Sequence, residues 1–162
     1  MKIGLIGAGR LGICLALLIE QAEHDVIVSD IREQYVEDLQ KKTIDTNEPD
    51  VQLMLGTSKK LTATTSNDDV IKASDIIFTL VPTPSLPDGS YDVSCVWDVV
   101  EDFQTADFDV AGKTLVVGCT TNPGDCDAFQ KELVECGVSV VYNPEFIAQG
   151  TIIRDLQRAE IM

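Results

Sequence analysis

Lys2-Ile3-Gly4-Leu5-Ile6-Gly7-Ala8-Gly9-Arg10-Leu11-Gly12 opens the stretch that decides the fold, and Val26-Ile27-Val28-Ser29-Asp30 closes it. The apolar run Ile3–Ile6 reads as a buried strand. Leu11, Cys14, Leu15 and Leu18 then recur at helical spacing, so the glycines sit on a strand-to-helix turn. Gly7 permits the tight turn, Gly9 lets a pyrophosphate approach the backbone, and Gly12 lets helix and strand pack closely. The helix start offers N–H groups and a partial positive charge, and Arg10 and Leu11 lie in that first turn. Asp30, at the end of the second strand, stands where a carboxylate accepts hydrogen bonds from both hydroxyls of an adenosine ribose and repels a 2′-phosphate. Strand, glycine turn, helix, strand and acid in this order predict dinucleotide binding, NAD over NADP. The bland alternative is a glycine-rich turn in some other α/β protein.

Outward from this unit, strands and helices keep alternating. The helix after Asp30 is expected to bury Ile31, Tyr35 and Leu39 and to end near Lys41-Lys42. Val51–Leu55 reads as a short helix, Leu61–Thr64 as a strand, and Ser66-Asn67-Asp68-Asp69 as a capping box. Asp75–Val81 is expected to be a fully buried strand. The segment Pro82–Gly89, with its three prolines, predicts a rigid loop without regular pairing, either a ligand-facing loop or plain surface. Asp92 is placed to cap a helix whose apolar stripe is Val93, Val96, Trp97, Val100 and Phe103, which makes Trp97 a core residue. Lys113–Gly118 forms another buried strand. A helix from Asp125 carries Cys126, Phe129, Leu133 and Cys136 and stops at Gly137. Val138–Tyr142 is the last clear strand, and Asn143-Pro144-Glu145-Phe146 turns off its end. The expected fold is α/β: a Rossmann-type doubly wound parallel sheet of about six strands with helices on both faces.

The 162 residues suffice for one domain, spanning 1–162, and 44% of them are hydrophobic. No apolar run reaches membrane-spanning length and no signal peptide is recognisable, which predicts a cytoplasmic protein. A net charge of −15 argues against nucleic acid and anionic membrane as partners. The five cysteines show no metal spacing and no CxxC pair, so no metal site is expected. Cys14, Cys95, Cys126 and Cys136 read as small core residues. His24 reads as solvated.

Val81-Pro82-Thr83-Pro84, Thr120 with Pro123-Gly124, and Asn143-Pro144-Glu145-Phe146, together with the Gly7 turn, resemble the UDP-glucose/GDP-mannose dehydrogenase family. The likeness covers essentially the whole chain, as that family's N-terminal NAD-binding domain. Glu48-Pro49, Asp88-Gly89-Ser90 and Gly150-Thr151 also fall where the family's pattern has them. The Asn-Pro-Glu-Phe tetrad separates this group from hydroxyisobutyrate and prephenate dehydrogenases.

The resemblance implies oxidation of a sugar-nucleotide C6 alcohol to a carboxylate with two NAD and a covalent thioester, UDP-glucose to UDP-glucuronate first, for polysaccharide biosynthesis. By the same analogy Glu145 is the general base toward water, and Thr120 positions that water and borders the cofactor. Val81, Pro82 and Thr83 line the nicotinamide half. Phe146 and Ile147 lie beside the sugar, and Gln149 stands where relatives carry a cofactor-touching glutamate. A basic residue common in the helix after the ribose-binding acid is Tyr35 here, which leaves Arg32 to serve. Cys119, Asn122 and Asp125 stand where the family has serine, proline and threonine, so Cys119 is not its nucleophile. The family's nucleophilic cysteine, catalytic lysine, dimer-forming helix and sugar-gripping domain lie beyond the last residue. The expectation is therefore a truncated domain, inactive alone, from a protein that is a homodimer at full length. GDP-mannose as substrate, an NAD-responsive regulatory domain and a plain interaction domain are the alternatives.

Overall fold

The computed structural model describes residues 1–145 and 150–158. Six strands, β1 (Lys2–Ile6), β2 (Asp25–Ser29), β3 (Leu61–Thr64), β4 (Ile76–Thr79), β5 (Thr114–Val117) and β6 (Ser139–Tyr142), form one sheet in the order β3-β2-β1-β4-β5-β6. Every neighbouring pair is parallel. The chain winds outward from β1 in one direction, then restarts at β4 on its other side. That places a topological switch point between β1 and β4, where open α/β sheets receive ligands. The Rossmann-type reading of the sequence is correct.

The period-two geometry of β1 divides the core. Ile3 and Leu5 join Val26 and Val28 under α1 (Arg10–Gln21), α3 (Val51–Thr57) and α7 (Ile152–Gln157), with Leu39 of α2 (Glu33–Lys41) beside them. Ile6 points the other way, with Ile77, Leu115 and Val117, under α4 (Asn67–Ala73), α5 (Ser94–Thr105) and α6 (Asp125–Leu133). Each large side chain wholly removed from water, such as Phe103, Phe129 or Leu115, contributes about 1.5–3 kcal/mol of transfer free energy.

Several local readings need correction. Ile31 is 91% exposed, and α2 buries Val36 and Leu39 with Tyr35 only half-buried. The reason is local: the Arg32 N–H donates to the Asp30 carboxylate at 3.0 Å, an Asx-type turn that delays the helix to Glu33. Strand β4 is Ile76–Thr79, shorter than expected and buried only at Ile77 and Thr79. Its extended path still runs on, since the Leu80 N–H donates to the Ile6 carbonyl at 2.8 Å. Trp97 is 38% exposed, because the stripe of α5 centres on Val96, Val99, Val100 and Phe103; its ring meets Phe129 edge-on at 4.8 Å. Cys95 lies outside both core clusters and is half-buried, as is His24.

The capping box is half formed. Ser66 Oγ accepts from Asp69 N–H at 3.2 Å, but the Asp69 carboxylate turns to Thr64 Oγ1, which also takes the Ser66 N–H. Asp92 accepts from Ser94 N–H at 2.9 Å from one residue ahead of the N-cap, Val93. The proline loop pairs with itself: Leu86 N–H donates to Ser90, Asp92 N–H to Pro84, and Ser85 bridges Tyr91. Val134–Cys136 form a 3₁₀ turn, and Gly137 ends it at φ +73. Among the described residues no helix is long and apolar enough to cross a membrane.

Candidate active site at the carboxyl edge of the sheet

Gly7 leaves β1 with φ +96, a conformation that L side chains rarely adopt. A Cβ there would also stand 2.7 Å from the Leu80 carbonyl, so strand β4 closes over the turn. The Gly7 and Ala8 N–H groups both donate to the Ser29 carbonyl, at 2.9 and 3.0 Å, tying the turn to the end of β2. A Cβ on Gly12 would run into the Gly7 carbonyl, so glycine alone lets α1 begin this close to the strand. Gly9, the N-cap, is different: a Cβ there would meet nothing within 4 Å. Its open side is the cradle that a pyrophosphate needs, and no side chain caps this helix end. The residues present therefore fit the phosphates of a dinucleotide. Leu11 packs on the first core cluster and fixes the helix start, while Arg10 is exposed beside it.

Asp30 follows β2 and is 9% exposed. Arg32 grips its carboxylate with Nε to Oδ1 and Nη2 to Oδ2, both at 2.7 Å. Burial works to raise the Asp30 carboxyl, but the hydrogen bonds from the Arg32 side chain and backbone outweigh it and hold the group below the usual aspartate range. The guanidinium also lies 4.1 Å from the centre of the Tyr35 ring. Burial pushes the Tyr35 phenol up to about 12, so the ring is a neutral platform.

On the other side of the switch point, Val81 and Thr83 are half-buried and Pro82 exposed at the exit from β4. Gly118 N–H donates to Thr79 at 3.0 Å and Asn143 N–H to Val117 at 2.9 Å, so β4, β5 and β6 leave the sheet in step. Thr120, exposed, and Glu145, half-buried, each follow by three residues the paired positions Val117 and Tyr142. Asn143 Nδ2 donates to Glu145 Oε1 at 3.2 Å. Burial raises the Glu145 carboxyl above the usual glutamate range, against the lowering effect of Asn143. Desolvation of this kind makes a carboxylate a stronger base. Cys119 is buried enough to push its thiol to about 11, which makes it a poor nucleophile.

Gly7, Gly9, Arg10, Leu11, Gly12, Asp30, Arg32, Val81, Pro82 and Thr83 thus share one edge, with Thr120 and Glu145 farther along it toward β6. Phe146, Ile147 and Gln149 lie outside the described residues. No group of three or more metal-ligating side chains occurs among those described.

Two residues that the motifs name without assigning a role turn out to be supports. Glu48, 5% exposed, accepts from the Gly150 N–H at 2.7 Å and from Ile152 N–H at 3.4 Å. Asn122 exchanges hydrogen bonds with the Tyr91 backbone, N–H to Oδ1 at 2.8 Å and Nδ2 to carbonyl at 3.0 Å. Asp125 Oδ2 holds Asn122 in place through its N–H and its amide, at 2.7 and 2.9 Å. The spacing Asn122-x-x-Asp125 at a helix start was the available signal for the second.

Residues 1–162 match the family described as "UDP-glucose/GDP-mannose dehydrogenase family, NAD binding domain". A UDP-glucose 6-dehydrogenase of Rhizobium meliloti is 32% identical over 99% of this chain and 38% of its own length. A GDP-mannose 6-dehydrogenase of Pseudomonas savastanoi pv. phaseolicola is 29% identical over 96% of this chain and 38% of its own. Among solved structures, a UDP-glucose dehydrogenase from Pyrobaculum islandicum superposes with a TM-score of 0.85 at 26% identity, covering 98% of this chain and 39% of that one. The chain spans well under half the length of each of these proteins.

Proposed function

The chain belongs to the UDP-glucose/GDP-mannose dehydrogenase family as its NAD-binding domain, and from that premise we propose that it serves a nucleotide-sugar 6-dehydrogenase that oxidises UDP-glucose to UDP-glucuronate. When bound, NAD supplies a hydride acceptor. The Gly9–Gly12 turn would hold its pyrophosphate, Asp30 its adenosine ribose, and Val81, Pro82 and Thr83 its nicotinamide half. Phe146 and Ile147 would border the sugar, and Gln149 would touch the cofactor. The full-length protein would act in the cytoplasm as a homodimer and feed polysaccharide synthesis.

The observation that carries this reading is Glu145. It stands at the end of β6 with its carboxylate half-buried, steadied by Asn143 and made more basic by desolvation. In the proposed role it takes a proton from water as that water attacks a thioester, with Thr120 orienting the water. The cysteine of that thioester would come from outside these 162 residues, as Cys119 is half-buried and poorly ionised.

The test uses an enzyme carrying this chain as its NAD-binding domain. With UDP-glucose, Glu145→Gln should leave NAD affinity near wild type and slow turnover by about 10²–10⁴-fold. A covalent sugar–enzyme adduct should accumulate and be visible by intact-protein mass spectrometry. Turnover with GDP-mannose alone would move the substrate to the second sugar nucleotide, the reading favoured by likeness to the Pseudomonas enzyme. No turnover with either, alongside intact NAD binding, would favour an NAD-responsive regulatory domain.

A further inference from the structure

We propose that Arg32 sets cofactor selectivity by occupying Asp30 as a built-in counter-ion, so that the chain discriminates against NADP less sharply than Asp30 alone would make it. The inference rests on the reading that Asp30 receives the adenosine ribose.

A carboxylate offers about four lone-pair directions. Arg32 takes three of them on Asp30: its backbone N–H and Nε both meet Oδ1, at 3.0 and 2.7 Å, and Nη2 meets Oδ2 at 2.7 Å. Two ribose hydroxyls cannot both bind until at least one of these bonds breaks. The grip is also preorganised. Tyr35 lies under the guanidinium at 4.1 Å from its ring centre, while the Arg32 side chain stays 56% exposed. The arginine is therefore held over Asp30 on one side and remains reachable from solvent.

This changes what each cofactor meets. NAD must displace a charge-assisted, two-point contact to reach Asp30. A 2′-phosphate meets a neutralised pair in place of a bare carboxylate, with guanidinium N–H groups that match its geometry. Both effects narrow the gap between the two cofactors. Tyr35 acts through Arg32 and is a positioning residue.

The experiment is calorimetric titration of NAD and NADP into the wild type, Arg32→Ala, Tyr35→Ala and Asp30→Asn. The ratio of the NADP to the NAD dissociation constant should rise about tenfold in Arg32→Ala, the worth of one charge-assisted hydrogen bond. It should rise less in Tyr35→Ala, where the guanidinium remains but loses its platform, and fall in Asp30→Asn. An unchanged or smaller ratio in Arg32→Ala, with Asp30→Asn effective, overturns the proposal alone. Unchanged affinities for both cofactors in Asp30→Asn overturn the ribose assignment and the proposal with it. Arg32→Ala strips the partner from a buried carboxylate and should lower the melting temperature, so the titrations are made well below each variant's melting temperature. Because the ratio compares two cofactors on the same variant, any unfolded fraction cancels from it.

Discussion

Glu48 and Gly150 lie 102 positions apart, yet the buried carboxylate of the first accepts the backbone N–H of the second at 2.7 Å. The same carboxylate takes Ile152 N–H at the start of α7, whose Ile152 and Ile153 complete the first core cluster. Glu48 thereby fastens the far end of the segment that begins at Glu145. Glu48→Ala would leave these N–H groups without their charged acceptor and should cost about 1.5–3 kcal/mol, measured by urea denaturation. Glu48→Gln should recover part of that loss. If Glu48→Ala unfolded at the wild-type midpoint, the anchor would be ornamental.

Gly12 offers a sharper steric test. Because a Cβ there runs into the Gly7 carbonyl, Gly12→Ala must push α1 away from the turn. The expected cost is about 1–3 kcal/mol from overpacking. NAD affinity should fall by more than the stability loss explains, since the helix start moves off the phosphates. Gly9→Ala, whose Cβ faces open space, should fold normally and still bind NAD poorly. Equal NAD binding by both variants and wild type would place the phosphates elsewhere.

Asn122 should govern the loop after β4. Its amide replaces a strand partner for Tyr91, so Asn122→Ala removes both contacts at once. Hydrogen exchange at the Tyr91 amide should then accelerate by about tenfold, as expected for loss of roughly 1–1.5 kcal/mol of local hydrogen bonding. Unchanged exchange would show that the loop is held by its own internal pairing.

The pH dependence of Asp30 and Glu145 should have opposite signs. Asp30 has a folded pKa below its unfolded value, so its contribution is present above the ordinary aspartate range and is lost as pH falls through the lowered value. Glu145 has a folded pKa above its unfolded value, so its ionisation weighs against folding once pH rises through the raised value. Asp30→Asn should therefore flatten the acid limb of the stability profile. Glu145→Gln should flatten the decline between the ordinary glutamate range and the raised pKa. Superimposable wild-type and variant profiles from thermal melts would contradict both assignments.

The sheet and its phosphate turn were legible because they obey short-range rules. The apolar runs in β1, β2 and β5, the glycine spacing and the acid after β2 each have one cheap structural solution. Ile31 was misread because periodicity cannot see an Asx-type turn: the Arg32 N–H bonded to Asp30 moves the helix start past it. Trp97 was misread because stripe membership says which face a residue is on, and the edge of that face is solvent. The Arg32 grip on Asp30 and the Glu48 anchor were illegible for another reason. Each needs a side-chain rotamer or a 102-residue separation that no local pattern encodes.

The account stands or falls on where NAD lies, and a crystal structure of the protein grown with NAD measures that directly. The pyrophosphate should rest against the backbone of Gly9 to Gly12, with a ribose hydroxyl within hydrogen-bonding distance of Asp30 and the Arg32 Nε drawn off Oδ1. The nicotinamide should lie along Val81 to Thr83, toward Thr120. NAD bound away from the carboxyl edge of β1, or an Asp30–Arg32 pair left intact beside a distant ribose, would contradict it.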